Sequence, residues 1–132
     1  MAEEKRPVQL ISRLLVVEDD HELAQMLLEV LTYENCTVDL ASNGEEAMEK
    51  LRMSDYDGVI CDLMMPRLGG EALYQQAAQL YPHLSNRFLF ISGPAAHRGG
   101  HTDFIYRSGN KLIEKPFDIE QLRAALQEMF SQ

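Results

Sequence analysis

Short, densely apolar runs alternate along the chain with longer stretches in which apolar residues recur every three or four positions. "LLVVE" (Leu14 to Glu18) is apolar up to its final acid, the pattern of a strand covered on both faces. Asp20 stands at a helix N-cap position ahead of Leu23, Met26, Leu27, Val30 and Leu31, which share helical spacing. "TVDLA" (Thr37 to Ala41) alternates and predicts a second strand nearer an edge. Ser42 and Glu45 have the spacing of a capping box, and Ala47, Met48 and Leu51 continue as one apolar face.

"GVICD" (Gly58 to Asp62) predicts a third strand that ends on a carboxylate before Pro66, Gly69 and Gly70 turn the chain. "EALYQQAAQLY" predicts a helix closed by Pro82, and "RFLFIS" (Arg87 to Ser92) a fourth strand. A short helix is expected around Thr102 to Ser108, then "KLIE" as a fifth strand. Asp118 and Gln121 cap a last helix whose apolar side carries Leu122, Ala125, Leu126, Met129 and Phe130. Five strands alternating with helices predict an α/β fold, a doubly wound parallel sheet with helices on both faces. Residues 1–11 are expected to form a flexible leader and residues 12–132 a single domain, without internal repeats.

Composition narrows the partners. The net charge of −9 disfavours phosphate backbones and anionic membranes, so no direct nucleic-acid contact is expected. No run approaches the roughly 18 apolar residues of a membrane span, and "MAEEKRPVQLISR" lacks the apolar stretch of a signal peptide, which predicts a cytoplasmic chain. Cys36 and Cys61 are read as buried free thiols rather than a disulfide, and the seven methionines as core filling.

The chemistry lies at strand ends. In open parallel sheets, ligands bind outside the carboxyl ends of the strands. Here those ends carry Glu18 and Asp19, Asp62, Ser92 and Lys115. Crowded carboxylates repel and raise their own pKa values, a conflict that a divalent cation removes. Carboxylate oxygens suit a hard ion such as Mg2+, Lys115 supplies a point charge for a phosphoryl oxygen, and the Ser92 hydroxyl can hydrogen-bond another. Such a set is equipped for phosphoryl transfer to an Asp nucleophile.

In order along the chain, "LLVVEDD", "DLMMPRLGG", "ISG" and "KPF" resemble the receiver domain of response regulators in two-component phosphorelays, over about Arg13 to Phe130. The resemblance implies a flavodoxin-like strand order of 2-1-3-4-5 and a cis peptide before Pro116. It also implies phosphoacceptance at Asp62, direct metal ligation by Asp19, and an acid at Glu18 that holds the metal through water. The Met64 carbonyl would be the backbone metal ligand, with Ser92 and Lys115 contacting the phosphoryl group. The implied partner is a histidine kinase or histidine phosphotransfer protein, with a second copy of the chain as a further candidate. Both a free-standing regulator and a segment of a larger hybrid kinase or regulator fit this pattern.

Two departures stand out. Leu112 occupies the position, three residues before Lys115, where the family usually has Tyr or Phe, which argues against readout by an aromatic swing there. Pro94 and the pair Gly99-Gly100 predict a shortened, shifted or mobile fourth helix, because Gly costs about 1 kcal/mol against Ala in a helix. Met64 and Pro94 border the expected path of attacking water, and an apolar pair there is expected to slow hydrolysis. His97 and His101, four apart across those glycines, are read as exposed loop histidines rather than metal ligands. Competing functions are a degenerate receiver that only docks, and an Asp-nucleophile phosphatase of the haloacid-dehalogenase kind. The first expects loss of the acidic pair, Asp62 or Lys115; the second needs an Asp where Met64 stands. The chain is accordingly read as a signalling domain with intrinsic phosphotransfer and autodephosphorylation, not as a conventional enzyme.

Overall fold

The computed structural model describes residues 12–93 and 102–131. Its elements run β1 (Arg13–Val17), α1 (His21–Tyr33), β2 (Thr37–Ala41), α2 (Gly44–Met53), β3 (Gly58–Asp62), α3 (Gly70–Leu80), β4 (Phe88–Ser92), α4 (Asp103–Ser108), β5 (Lys111–Glu114) and α5 (Ile119–Phe130). A single 3₁₀ turn, Pro82–Leu84, follows α3, because Pro82 cannot donate to a continuing helix. All strand pairs are parallel, in the order β2-β1-β3-β4-β5. The predicted doubly wound sheet is therefore observed, with "TVDLA" at an edge as its alternation suggested.

Strand alternation divides the core in two. Leu15, Val17, Val59, Cys61, Phe88 and Phe90 face α2, α3 and α4, where Tyr74 and Phe104 pack edge-on against the β4 rings. Leu14, Val16, Ile60, Leu89 and Ile91 face α1 and α5. β3 and β4 are buried along their whole length, which explains their continuous apolar character and gives the acid at the end of β3 a buried seat.

Caps set the helix starts. Asp20 accepts from the Glu22 and Leu23 amides, and Asp118 forms a reciprocal capping box with Gln121, both as predicted. The cap of α2 differs from the expectation. Asn43, in extended conformation, is the N-cap and accepts from Glu46, whose carboxylate reaches back to the Ser42 amide and hydroxyl at 2.8 Å each. The Ser42–Glu45 box is thus displaced by one residue, and Glu45 is released for another partner. The expected short helix appears as α4, and the Lys115–Pro116 peptide is cis. Gly99, Gly100, Pro94, His97, His101 and the leader lie outside the described residues.

Two readings of composition need correction. Cys61 is buried, but Cys36 is only half-buried, because it precedes an edge strand. Met129 is core, whereas Met53, Met64 and Met26 are 80%, 51% and 37% exposed: Met53 ends α2, Met64 stands in the loop after β3, and Met26, within α1, lies off the buried stripe of Ala24, Leu27 and Leu31. Among the described residues no helix is long and apolar enough to cross a membrane.

Candidate functional site

The carboxyl ends of β1, β3 and β4 and the residue after β5 meet at one rim of the sheet. β1 ends at Val17, and the next amide, Glu18, still bonds the Ala41 carbonyl at 2.9 Å, which continues the ladder and holds Glu18 over the sheet. Beyond Asp62 the Leu63 amide bonds Ile91 O at 3.0 Å, and beyond Ser92 its carbonyl accepts from Lys115 N at 2.7 Å. Each polar residue is therefore fixed by backbone pairing rather than by a free loop.

Glu18, Asp62 and Ser92 are buried, with residue exposures of 3%, 4% and 0%, while Asp19 is exposed. Carboxylate oxygens of Glu18, Asp19 and Asp62 lie within 4.8 Å of one another. The Lys115 ammonium donates to Asp62 Oδ2 at 3.1 Å and approaches Glu18 Oε1 at 3.8 Å. Asp62 Oδ1 accepts from the Met64 amide at 3.2 Å, and Glu18 Oε2 from the Asp20 amide at 3.0 Å. Glu18, Asp19, Asp62 and Lys115 are thus assembled as expected from the sequence. Ser92 lies at the end of the neighbouring strand, and Met64 follows in the β3–α3 loop.

The cluster is electrostatically unfinished. Burial pushes the Glu18 carboxyl up to about 8, reinforced by Asp62 and opposed by the Asp20 amide and Lys115. At Lys115, burial works against the charge, but Asp62, Glu18 and Asp19 together raise its pKa. Among the described residues, Glu18 Oε1 and Ser92 Oγ are buried without a hydrogen-bond partner. Unpaired buried polar atoms are costly and call for an explanation. Three oxygen donors with one orphaned oxygen fit a hard divalent cation, which would satisfy Glu18 and offset the repulsion that a single ammonium leaves. Cys61, fully buried beside this cluster, is held well above its ordinary thiol pKa by burial, then by Asp62 and Glu18, so it is not a reactive thiolate.

At the position three residues before Lys115, Leu112 packs half-buried on the cluster that contains Phe90 and Phe104. Sequence reading missed the Asp20 amide as an orienting donor for Glu18, and it missed the contacts of the β3–α3 loop with α2. Neither carries a local signal beyond its cap or turn residues.

The sequence profile of the response regulator receiver domain matches residues 14–127. The response regulator ArlR of Staphylococcus epidermidis is 30% identical over 116 residues, covering 88% of this chain and 51% of the relative, so the chain spans about half the length of that curated relative. A solved structure assigned as a response regulator of Chloroflexus aurantiacus is 26% identical with a TM-score of 0.81, over 93% of this chain and 100% of the other. The response regulator TrrA of Thermotoga maritima, solved in complex with Mg2+-BeF, is 25% identical with a TM-score of 0.77, over 90% and 99% of the two chains.

Proposed function

The chain belongs to the response regulator receiver domain family of two-component signalling, and from that premise we propose that Asp62 accepts a phosphoryl group in a Mg2+-dependent reaction. The observation that carries this reading is the buried rim: Asp62 on Lys115, Glu18 with an orphaned oxygen, and Asp19 within reach of both. Asp19 and Asp62, with the Met64 backbone, would hold the ion, and Glu18 would hold it directly or through water. Bound there, Mg2+ supplies charge neutralisation for the phosphoryl oxygens and the developing transition state. TrrA, whose structure holds Mg2+-BeF, gives a precedent for such a site in a relative.

The chain's own groups do the following. Asp62 attacks phosphorus with a carboxylate oxygen, and the bond from phosphorus to the donor's histidine nitrogen breaks as the acyl-phosphate forms. Lys115, already 3.1 Å from Asp62 Oδ2, pairs with a phosphoryl oxygen as the carboxylate gives up charge to the new bond. Ser92 Oγ, without a partner in the unmodified protein, donates to another phosphoryl oxygen. That capture draws the end of β4 toward Asp62 and biases α4, which is how one covalent event becomes a conformational one.

The implied donor is a phosphohistidine on a kinase or phosphotransfer protein, and water resets the switch by hydrolysis. Met64, half-exposed beside Asp62, shields that approach and slows the reset. Leu112, in place of an aromatic ring, takes readout away from an aromatic swing at that position. Residues 12–132 form the receiver unit and residues 1–11 its leader. A merely docking receiver would not need Asp62, Lys115 and both acids in one buried cluster. An Asp-nucleophile phosphatase would need an acid where Met64 stands.

Incubation with acetyl phosphate and Mg2+, read by intact mass, tests the proposal. The expected result is a gain of about 80 Da, the mass of one phosphoryl group, that Asp62→Asn abolishes. A folded protein that binds Mg2+ and never gains that mass would refute it.

A further inference from the structure

The loop that follows Asp62 has a conformation its own residues do not favour. Arg67 and Leu68 are consecutive non-glycine residues in the left-handed region, with φ of 53° and 72°. Such backbone is uncommon, particularly for a bulky side chain, and persists only when its surroundings over-determine it. Those surroundings are two helix starts. On one side, a Cβ at the buried Gly70 of α3 would sit 2.9 Å from the Asp62 carbonyl oxygen and 3.0 Å from Leu63 Cα. On the other side, a Cβ at Gly44, the first residue of α2, would overlap the Leu68 carbonyl oxygen and lie 2.8 Å from Leu68 Cβ.

Beside Gly44, the Glu45 carboxylate accepts from Arg67 Nε at 3.0 Å and from a terminal guanidinium nitrogen at 2.5 Å. Leu68 itself packs half-buried on the core cluster under α2 and α3. The loop between Asp62 and α3 is therefore pressed between two helix starts and tied to one of them. Asp62 hydrogen-bonds within that loop, through Met64 N.

We propose that Gly44 and Glu45, on α2, are positioning residues for the cation site: they hold Leu68 and Arg67, and through them the Met64 backbone, in the geometry that the ion requires. This rests on the Mg2+ reading given above and extends it to an element that touches no reacting atom. By linkage the coupling is reciprocal, so cation binding should also steady the start of α2.

The sign of the key substitution separates this role from general stability. Gly44 opens a helix and has no left-handed φ, so Gly44→Ala should favour α2 by itself. Only the encounter with Leu68 opposes it. The experiment follows backbone amides by NMR as magnesium chloride is added to the wild-type chain, Gly44→Ala, Glu45→Arg and the charge-exchanged Glu45→Arg/Arg67→Glu. Gly44→Ala is expected to weaken Mg2+ binding about tenfold, the lower end of what losing a partner that orients a metal ligand costs. Glu45→Arg should weaken it about two- to fivefold, the range of an exposed ion pair, and the exchanged pair should recover most of that loss.

The exposed Glu45 variants do not endanger folding, so they decide the matter should Gly44→Ala fail to fold. Metal-free spectra provide a second readout, in which the Met64 and Met65 amides should shift in Glu45→Arg and return in the exchanged pair. Variants that bind Mg2+ like the wild type and leave those amides unmoved would overturn the proposal. A wild type that binds no Mg2+ would sink the functional reading instead, and the metal-free amides would then judge the positioning role alone.

Discussion

The two ends of the sheet both bury polar groups, and they treat them in opposite ways. At the amino end, Tyr56 donates to Asp39 at 2.6 Å, and Arg13 donates to the same carboxylate at 3.0 Å with its guanidinium 5.2 Å from the Tyr56 ring centroid. Across the sheet, ahead of β4 and β5, the Asn110 amide accepts from Phe88 N and donates to Ser85 O and Ser108 Oγ, and Tyr74 donates to Ser85 O. Apart from Arg13 Nε, the polar groups of these buried and half-buried side chains have partners. Asp39 is drawn below its usual pKa, first by the Tyr56 hydroxyl and then by Arg13, despite some burial. Tyr56 is pushed up to about 12 by burial and by Asp39. At the carboxyl end, by contrast, acids outnumber the single ammonium, two buried oxygens are orphaned and Glu18 is raised to about 8. One end is closed by the chain itself; the other is completed only by something the chain binds. Stability and function are thus separated along the strand axis.

Substitutions can break this contrast. Lys115→Ala should slow phosphoryl acceptance by roughly 10²- to 10³-fold, the scale of losing one preorganised electrostatic partner, with Mg2+ binding retained. The rate of mass gain from acetyl phosphate measures it. At the opposite end, Asp39→Ala should cost about 2 kcal/mol in urea unfolding, since it strands the Tyr56 hydroxyl and Arg13, and should leave Mg2+ affinity unchanged. A matching loss of affinity would show that the two ends are not independent.

The pH dependence of stability sharpens the comparison, with each titrating group contributing at most about 1.4 kcal/mol per pH unit. Without Mg2+, the folded protein keeps a Glu18 proton that the unfolded chain releases near 4.5, so stability falls as pH rises from 4.5 toward about 8. Asp39 acts in the other direction. Its contribution is present above 3.8 and is lost as pH falls through its lowered folded value. Urea midpoints measured across pH should therefore decline on both sides, and saturating Mg2+ should flatten only the alkaline side. The smallest expected effect is Glu18→Gln, which should raise metal-free stability by about 1 kcal/mol at neutral pH, because it removes the cost of holding a proton that the unfolded chain releases, while weakening Mg2+ binding through the lost anionic ligand.

The functional end was the more legible one in the sequence. Asp62 and Ser92 close apolar strands and Lys115 follows the fifth, with Pro66, Gly93 and Pro116 marking the turns beyond them, and the parallel fold then forces such ends onto one rim. The amino end was not legible. Arg13, Asp39 and Tyr56 belong to three separate segments, and nothing local distinguishes them from surface residues. The same holds for Glu45 and Arg67, which stand on different elements and meet only because Gly44 lets the Leu68 backbone approach. The α2 cap was misplaced by one residue because Ser42 and Asn43 are both good caps, and the choice between them depends on where β2 ends. Exposed methionines misled for a related reason: a flexible apolar side chain marks a core only when the element around it faces inward.

The central claim is that the rim acids form an incomplete site that a cation completes. A pH titration of the Glu18 side-chain carboxyl by carbon-13 NMR, without and with Mg2+, tests it most directly. The account predicts a midpoint near 8 in the free protein and a carboxylate that stays ionised at far lower pH once Mg2+ is present, with the Asp19, Asp62 and Met64 amides moving in the same titration. A Glu18 that titrates near 4.5 in the free protein and does not respond to Mg2+ would contradict it.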